Sequence, residues 1–417
     1  MSEDGIVIIG AGQGGFQLAR SLREAKFTGS IRLVGDERHL PYQRPPLSKA
    51  YLSGEACLDQ VLLCGKSSFD SRSIELHLGD RVIDVDRVGR AVTLASGVTL
   101  RYQHLVIATG SRPRPLRVPG AGLADVISLR GLDDADCLRD ALATPRNIAV
   151  VGGGFIGLEF AAVATASGHH VTVIEGLERA MARAVSPELS EHVTDVHRRS
   201  GAGMLLGRAV VALHGQAGAV REVELDGGQR IPADLVVVGI GVIANSELAA
   251  RAGLAVDNGV VVDEQLCTSD PAISALGDCV MYPSAHATGL VRLESVQNAV
   301  DQARFIAGRL TGSVNHRYNN VPWFWTHQAG IKVQMAGLPG VNDTRVVVGD
   351  RASGQFSVFR FDGRRLVCVE SVNRVPDHMA ARRILGTDDR PTPDQVAASG
   401  FNLIAFANAK SLQRQPH

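Results

Sequence analysis

Several features that would point to other classes of protein are missing from this 417-residue chain. Its six cysteines form no C-x-x-C pair and no cluster, which argues against a thioredoxin-like disulfide and against zinc or iron–sulfur ligands. Lys+Arg and Asp+Glu both number 43, so the zero net charge gives no overall attraction to nucleic acid. We therefore expect buried thiols in a reducing compartment, no bound metal and no nucleic-acid partner.

A long apolar run and a basic leader are missing as well. The apolar stretch at 235–244 is far shorter than the roughly 18 residues that a membrane-spanning helix needs. Residues 1–5 are acidic and run directly into an apolar segment, whereas a secretory signal begins with basic residues. The sequence predicts a cytoplasmic protein without a membrane partner, and we expect a monomer.

One pattern is present twice. An apolar run at 6–9 leads into a glycine-rich turn, a helical stretch and a second apolar run that ends at Asp36. The same order recurs from Asn147 to Glu175. Continuous apolar runs are typical of parallel strands that are buried on both faces, so each segment predicts a β-α-β unit.

The first turn has the spacing G-x-G-x-x-G at Gly10, Gly12 and Gly15. In such a motif the first glycine permits the tight turn, the second lets the backbone approach a diphosphate, and the third lets helix and strand pack closely. The following helix would present free N–H groups and its positive dipole end to the phosphates. Asp36 or Glu37 would then bind the adenosine ribose.

The second turn repeats this spacing at Gly152, Gly154 and Gly157, with Glu175 as the acid that binds the ribose. A carboxylate at that place repels a 2′-phosphate and favours NADH over NADPH. Two arginines that follow would soften this preference if they reached the nucleotide, but we expect them on a solvated face.

Two dinucleotide sites in one chain indicate a resident flavin and an exchangeable nicotinamide nucleotide. Hydride transfer between them depends on orientation more than on acid–base groups, so the missing Ser/His/Asp constellation is consistent with it. The predicted fold is α/β, with two Rossmann-like, glutathione-reductase-like domains and a small C-terminal α+β domain. The predicted boundaries are 1–112 with 243–318 for FAD, 113–242 for NAD, and 319–417 for the C-terminal domain, whose sequence shows short alternating segments and a helical pattern at 392–410.

Four further segments occur in order along the chain. They are PPLSKAYL at 45–52, ATGSRP at 108–113, GDC at 277–279 and PWFW at 322–325. With the two glycine motifs they resemble the FAD-dependent NAD(P)H:ferredoxin reductases of bacterial oxygenase systems. The resemblance implies that NADH gives a hydride to FAD. Single electrons would then pass to an iron–sulfur ferredoxin that feeds a haem monooxygenase or a ring-hydroxylating dioxygenase.

The resemblance also implies roles for individual residues. Lys49 would stabilise charge on the reduced flavin, Glu159 would hold the nicotinamide carboxamide, and Trp325 would relay or shield electron transfer. The motifs and the resemblance together assign to FAD the residues Gly10, Gly12, Gly14, Gly15, Asp36, Glu37, Arg44, Pro45, Lys49, Val82, Ala108, Thr109, Gly110, Arg112, Arg130, Asp278, Ser295, Val296 and Trp325. They assign to NAD the residues Gly152, Gly154, Phe155, Ile156, Gly157, Glu159, Glu175, Ile240 and Gly241.

The chain departs from the family pattern at one position that bears on the partner. Members often continue Trp-Ser-Asp-Gln, whereas this chain has Trp325-Thr326-His327-Gln328, so the histidine would change the charge near the flavin. A docked acidic ferredoxin calls for basic side chains, for which the candidates are Arg304, Arg309, Lys332 and Lys410.

Two other functions stay open at the level of sequence. One is a redox-sensing interaction protein that binds FAD and NADH without ferredoxin turnover. The other is a peroxide or disulfide reductase, which needs a cysteine against the flavin; the segment 45–49 contains none.

Overall fold

A computed structural model describes residues 5–340 and 343–412, with side chains up to residue 409. Contacts between Cα atoms divide the chain into two compact units. Unit 1 comprises Met1–Gln43, Leu58–Arg112 and Ile243–Pro322, and unit 2 comprises Arg44–Cys57, Pro113–Val242 and Trp323–His417.

The strands of the described residues are β1 (Gly5–Ile9), β2 (Ile31–Gly35), β3 (Ile74–Leu78), β4 (Val82–Asp86), β5 (Ala91–Leu94), β6 (Thr99–Ile107), β7 (Ser111–Pro113), β8 (Val126–Ser128), β9 (Asn147–Val151), β10 (His170–Glu175), β11 (Gly203–Leu206), β12 (Val210–Gln216), β13 (Ala219–Leu225), β14 (Arg230–Pro232), β15 (Leu235–Val238), β16 (Val242–Ala244), β17 (Val260–Val261), β18 (Ile273–Ala275), β19 (Val280–Pro283), β20 (Leu290–Val291), β21 (Trp323–Gln328), β22 (Ile331–Gly337), β23 (Thr344–Asp350), β24 (Gln355–Asp362) and β25 (Arg365–Val372).

The α-helices are α1 (Gln13–Glu24), α2 (Leu58–Val61), α3 (Lys66–Ser71), α4 (Leu132–Ala141), α5 (Phe155–Ala166), α6 (Pro187–Arg199), α7 (Glu247–Arg251), α8 (Val296–Leu310), α9 (Val375–Leu385), α10 (Pro393–Ala397) and α11 (Leu403–Leu412). Short 3₁₀ turns lie at Pro45–Ser48, Asp226–Gly228 and Gly277–Cys279.

Unit 1 is built on a sheet in the order β3-β2-β1-β6-β5-β4, with β18 also paired to β6. Strands β1, β2, β3, β6 and β18 pair in parallel, and β4 and β5 pair antiparallel. Every residue of β1 is buried, as its unbroken apolar sequence predicts. The first predicted β-α-β unit is therefore β1-α1-β2, and its turn lies at the carboxyl end of β1.

Unit 2 contains a parallel sheet in the order β11-β10-β9-β15-β8, in which β9-α5-β10 is the second predicted β-α-β unit. It also contains an antiparallel sheet in the order β21-β22-β25-β24-β23, against which α9 packs. The predicted fold class is confirmed: two Rossmann-like parts and a C-terminal α+β part.

The helical pattern predicted at 392–410 corresponds to two helices, α10 and α11. Thr392 caps α10 in a capping box with Gln395, but Ala398 is extended and Gly400 has a φ of +78°. Since a left-handed residue ends a helix, α11 starts anew at Leu403. The predicted helical pattern is therefore present, with a break between the two helices at Gly400.

A buried charged network fastens α6 to the antiparallel sheet within unit 2. The carboxylate of Glu370, on β25, accepts from the Ser186 backbone N–H at 3.0 Å and from the Arg360 guanidinium at 2.7 Å. Arg360 also pairs with Asp343, and burial raises the pKa of Glu370. Because an unpaired buried charge is costly, these partners hold the start of α6 in one position.

His378 lies beneath Trp323 on the buried face of α9. The ring is 1% exposed, its centroid lies 5.3 Å from that of Trp323, and neither ring nitrogen has a hydrogen-bond partner among the described residues. Burial, with a smaller contribution from the Arg382 charge, lowers the pKa of His378 to about 4. The imidazole is therefore neutral at pH 7.

This buried imidazole makes the protein sensitive to acid. The unfolded chain binds a proton at the usual histidine pKa of about 6.5, whereas the folded chain binds it only near 4. The free energy of unfolding should therefore fall as the pH drops from 6.5 towards 4, by on the order of 2–3 kcal/mol from this residue. Urea unfolding at pH 7.5 and pH 5 should show a smaller loss for His378→Phe. The exposed His170, replaced by Gln, is the control, and an equal loss in all three proteins would contradict the assignment.

Candidate functional site

Gly10, Gly12 and Gly15 form the turn between β1 and α1 in unit 1. Gly10 has a φ of +115°, and a Cβ there would lie 2.1 Å from the carbonyl oxygen of Ala108. A Cβ on Gly15 would lie 1.9 Å from the Gly10 oxygen, whereas one on Gly12 would meet no atom within 4 Å. The fold thus requires Gly10 and Gly15, while the space beside Gly12 is open to a ligand.

The start of α1 fits a diphosphate. Its N-cap is Gly12, which offers no capping side chain, and its first turn carries no acidic residue. Free N–H groups at a positive dipole end are an anion site, so this turn suits a dinucleotide such as FAD. Gly14 is buried, and a Cβ on it would meet Leu276 at 2.4 Å and Ala299 at 3.5 Å. Its bare Cα therefore serves the packing of α1 against α8, and its contact with FAD stays a prediction.

The two candidate ribose acids follow β2. The side chain of Asp36 is exposed and makes no hydrogen bond or ion pair with the described residues, whereas Glu37 accepts a hydrogen bond from the Tyr42 hydroxyl. Because Glu37 already has a partner, Asp36 is the better candidate for the ribose.

Several hydrogen bonds within unit 1 hold the loop that begins at Ala108. Thr109 Oγ1 donates to the Asn245 carbonyl at 2.6 Å, and the Asn245 amide donates back to the Thr109 carbonyl at 2.9 Å. The Asn245 N–H also donates to the carbonyl of Gly110, whose φ is +65°. Arg112 contacts Asn245 at 2.8 Å and Glu247 at 2.5 Å. Arg112 therefore supports the loop, and its contact with FAD stays a prediction.

Asp278 lies in the 3₁₀ turn that follows β18. Its Oδ2 accepts from the Ser111 hydroxyl at 2.9 Å, and its carbonyl accepts from Arg292 at 3.2 Å. The turn itself is held by Gly277, which has a φ of +83° and whose N–H donates to Gln302 at 2.7 Å. These contacts orient the Asp278 carboxylate, whose contact with FAD stays a prediction.

The remaining predicted FAD residues of unit 1 have structural roles of their own. Ser295 is the N-cap of α8, where its hydroxyl accepts from the Asn298 N–H at 3.0 Å, and Val296 is the first helical residue. Val82 is buried at the start of β4. Their contacts with FAD stay predictions.

The second glycine turn, in unit 2, repeats the geometry of the first. Gly152 has a φ of +106°, a Cβ there would lie 2.5 Å from the Gly239 oxygen, and one on Gly157 would lie 2.3 Å from the Gly152 oxygen. Gly154 is the N-cap of α5 without a capping side chain, and a Cβ there would approach Gly239 only to 3.7 Å. This start of a helix therefore fits a second dinucleotide diphosphate.

Glu175 lies at the end of β10, as predicted, and is bonded to the glycine turn. Its Oε2 accepts from the Gly153 N–H at 2.7 Å, and its Oε1 accepts from the Leu177 N–H at 2.9 Å. The carboxylate is thus held in a fixed orientation beside the turn, which suits the ribose role.

The two arginines after Glu175 differ from each other. Arg179 donates to the carbonyls of Val185 at 2.8 Å and Ala182 at 2.7 Å, so it folds its own loop instead of lying on a solvated face. Arg183 is exposed as expected, and it approaches Gly241, where a Cβ would lie 3.6 Å from its guanidinium.

Four other predicted NAD residues lie at the start of α5 and in the loop that follows β15. Phe155 opens α5 and packs on Phe324 with ring centroids 4.6 Å apart, and Ile156 follows it. Ile240 packs on the core of unit 2, and Gly241 has a φ of +98°. The structure brings these residues together near Gly154, and their contacts with the nucleotide stay predictions.

Lys49 and Glu159 form an ion pair within unit 2. The distance from Lys49 Nζ to Glu159 Oε2 is 2.5 Å, and the Glu159 side chain is 7% exposed. Oε2 also accepts from the Ser48 hydroxyl at 2.6 Å, and Oε1 accepts from the Thr326 hydroxyl at 2.5 Å. A carboxylate has about four acceptor positions, so three donors leave room for about one more bond, such as one from a carboxamide.

The turn that carries Lys49 is held from both sides. The Lys49 ammonium also donates to the Pro45 carbonyl at 3.3 Å, and the Arg44 guanidinium donates to the Arg130 carbonyl at 2.8 Å. The Arg130 N–H in turn donates to Asp134 at 2.9 Å. These residues therefore support the turn that carries the ion pair, and their contacts with FAD stay predictions.

Two hydroxyls that complete the Glu159 site were not predicted from the sequence. Ser48 lies in the PPLSKAYL segment, and Thr326 directly follows the PWFW segment. Neither segment shows that its hydroxyl meets Glu159, which is 111 residues from one and 167 from the other.

Trp325 belongs to a stacked group of rings on β21. Its ring centroid lies 5.4 Å from that of Trp323 and 6.4 Å from that of Phe324. The Arg382 guanidinium lies 4.1 Å from the Trp323 ring centroid, which is a cation–π distance. The two tryptophan rings thus pack against each other, and the redox role of Trp325 stays a prediction.

His327 is exposed on β21. Partial desolvation of the ring lowers its pKa, as do the neighbouring ammonium groups of Lys332 and Lys49. Among the predicted basic candidates, Arg304 is exposed and Lys332 is half-buried, while Arg309 donates to the buried Ser274 hydroxyl. The side chain of Lys410 lies outside the described residues.

All six cysteines are free thiols, and burial raises the pKa of three of them, Cys267, Cys279 and Cys368. Cys57 and Cys137 are exposed, so the expectation of buried thiols is wrong for these two. Groups of three or more His, Cys, Asp or Glu side chains that could hold a metal ion do not occur among the described residues. Over the same residues, no helix has both the length and the apolar character that crossing a bilayer requires.

Two family models match the chain and together span most of it. Residues 4–303 match the pyridine nucleotide-disulphide oxidoreductases, and residues 323–407 match the reductase C-terminal domain.

Individual proteins match over nearly the whole length. The chain is 49% identical to rhodocoxin reductase of Rhodococcus erythropolis over 98% of this chain and 96% of that one. The crystal structure of the ferredoxin reductase for the CYP199A2 system of Rhodopseudomonas palustris is 46% identical, with a TM-score of 0.94 over 97% of this chain and 100% of that one. The reductase of a covalent putidaredoxin reductase–putidaredoxin complex is 39% identical, with a TM-score of 0.94 over 98% and 99% of the two chains.

Substitutions in the second glycine turn can distinguish an effect on protein stability from an effect on nucleotide binding. Gly154→Ala meets no close atom, so it should lower the melting temperature by no more than about 2–4 °C. Because the methyl group would occupy the diphosphate space, NADH affinity should fall about tenfold or more while FAD content is unchanged. Calorimetry and nucleotide titration would measure both effects. Gly157→Ala is the control: it should destabilise the protein, and equal effects of the two variants would contradict this assignment.

Proposed function

We propose a function from one premise: the chain belongs to the pyridine nucleotide-disulphide oxidoreductase family and, within it, to the ferredoxin reductases. It is an oxidoreductase that uses FAD and NAD(H), and its protein partner is an iron–sulfur ferredoxin that feeds an oxygenase. The predicted function, cofactors and class of partner are thereby confirmed. The observation that carries the function is the pair of uncapped glycine turns, one in each unit.

The residues fit both cofactors. When bound, FAD accepts a hydride from NADH and gives up the two electrons singly to a one-electron partner. We propose that the Gly10–Gly15 turn and Asp36 hold FAD, and that the Gly152–Gly157 turn and Glu175 hold NADH.

Further roles are proposed for the three catalytic candidates. Lys49 supplies a positive charge for the reduced flavin, and the carboxylate of Glu159 keeps that ammonium in position through the 2.5 Å ion pair. The acceptor position left on Glu159 receives the nicotinamide carboxamide. Trp325, packed on its neighbouring rings, shields the flavin on the side of electron exit.

The division into FAD-binding, NAD-binding and C-terminal domains at the predicted boundaries is likewise a proposal. It is supported by the two β-α-β units and by the separate antiparallel sheet. A cytoplasmic location is proposed because all six thiols are free.

The proposed function has a direct test in two steps. Anaerobic NADH should bleach the flavin absorbance of the purified protein, because the hydride enters the flavin. NADH should then reduce cytochrome c rapidly only after an iron–sulfur ferredoxin is added. Bleaching without ferredoxin turnover would favour a redox-sensing protein, and reduction of a peroxide or disulfide instead would favour the other flavoenzyme class. An unbleached flavin would exclude all three.

The nucleotide preference tests the role of Glu175. Glu175→Ala removes the charge that repels a 2′-phosphate, so the ratio of kcat/KM for NADH to that for NADPH should narrow by about tenfold. Glu175→Gln removes the charge but keeps a side chain of the same shape beside Gly153. It therefore distinguishes the effect of the charge from the effect of losing support for the turn. Glu178, an exposed neighbour, is the matched control as Glu178→Gln. A ratio that is unchanged in both Glu175 variants would remove this residue from the role.

A further inference from the structure

A chain of buried hydrogen bonds extends from Glu159 away from Lys49. Beyond the Thr326–Glu159 bond, the Gln328 amide donates to Thr326 Oγ1 at 3.3 Å, and His197 Nε2 lies 2.8 Å from Gln328 Oε1. Thr326, Gln328 and His197 are 0%, 4% and 1% exposed. All four residues lie in unit 2, on α5, β21 and α6.

The direction of every bond in this chain follows from the imidazole. A neutral imidazole has one N–H donor and one acceptor nitrogen. Nδ1 of His197 is buried without a partner among the described residues, so a proton there would be an unpaired donor, which costs more free energy than an unpaired acceptor. The proton therefore resides on Nε2 and is donated to Gln328 Oε1. Burial lowers the pKa of His197, which agrees with a neutral ring.

The fixed imidazole decides how the Gln328 amide is oriented. With Oε1 bound to His197, only the NH₂ group of Gln328 can face Thr326 Oγ1. Were the amide reversed, Oε1 would face the Thr326 hydroxyl and compete with Glu159 for its proton. The amide as it stands leaves Glu159 as the acceptor of that proton.

We propose that His197 is a positioning residue for the Lys49–Glu159 ion pair, acting through Gln328 and Thr326. Its Nε2–H keeps the Thr326 hydroxyl directed at Glu159 Oε1, which leaves Oε2 for Ser48 and Lys49. Without it Glu159 loses a donor, and the ammonium of Lys49 moves to compensate. The consequence for flavin reduction rests on the proposed function, whereas the consequence for Lys49 does not.

The chain offers a matched set of variants. His197→Phe removes the donor at similar volume. His197→Gln restores an N–H near the position of Nε2. His192→Phe is the control, because His192 is also buried on α6 but packs on Phe356 and its Nε2 makes no hydrogen bond in the described structure.

The first experiment is nuclear magnetic resonance of the FAD-loaded protein with labelled histidine and lysine. The ¹⁵N spectrum should show His197 Nε2 protonated and Nδ1 unprotonated at pH 7.5. The ¹³Cε signal of Lys49 should shift in His197→Phe and return in His197→Gln, while His192→Phe leaves it in place. A proton on Nδ1, or a Lys49 signal that ignores His197→Phe, would overturn the proposal.

The second experiment is stopped-flow reduction of the flavin by NADH. The rate should fall about three- to tenfold in His197→Phe, as for the loss of one oriented hydrogen bond. It should stay within about twofold in His197→Gln and His192→Phe, and the NADH dissociation constant should change little. An equal fall in His192→Phe, or no rescue by glutamine, would overturn the proposal. If the unaltered protein shows no reduction at all, the proposed function fails, and the Lys49 signal still decides the role of His197.

Discussion

The arrangement of unit 2 depends on the ion pair and hydrogen bonds that satisfy one buried carboxylate, that of Glu159. A carboxylate removed from water costs several kcal/mol unless donors replace its hydration, and Glu159 is only 6% exposed. Its donors come from the turn at Pro45–Ser48 with Lys49, and from β21, while Glu159 itself lies on α5. Satisfying the charge of Glu159 therefore requires three parts of the chain that are distant in sequence to meet. The same contacts fix the position of the Lys49 ammonium.

The glycine turns could be predicted from sequence because their physics is local. A φ above +100° at Gly10 and Gly152, and the near contacts of Gly15 and Gly157 with the preceding turn, follow from a strand that passes directly into a helix. The acids at the ends of β2 and β10 follow from the same unit. The sequence could not distinguish Asp36 from Glu37, since that choice depends on a hydrogen bond from Tyr42.

The Glu159 network could not be predicted for the opposite reason. Its members are far apart in the sequence: Ser48 and Thr326 lie 111 and 167 residues from Glu159, and His197 lies 131 residues from Gln328. No periodicity links positions at such separations. His197 gives no signal at all, because a histidine within an amphipathic helix is equally consistent with ordinary packing. The family resemblance identified Lys49 and Glu159 separately, and only the fold shows that they are partners. The pKa of His327 likewise depends on the fold, because partial desolvation and the nearby ammonium groups of Lys332 and Lys49 lower it.

The origin of the Glu159 donors has a consequence for the recombination of such reductases. A chimera that joined the β21 region of one member to the α5 region of another would preserve each sheet and each glycine turn. It would nevertheless leave the buried carboxylate one donor short if the incoming strand lacked a hydroxyl at position 326, or if α6 lacked the donor at position 197 that we propose directs that hydroxyl. This site is therefore inherited not as a domain but as a set of six side chains spread across the chain, and crossover points placed at domain boundaries will still divide it.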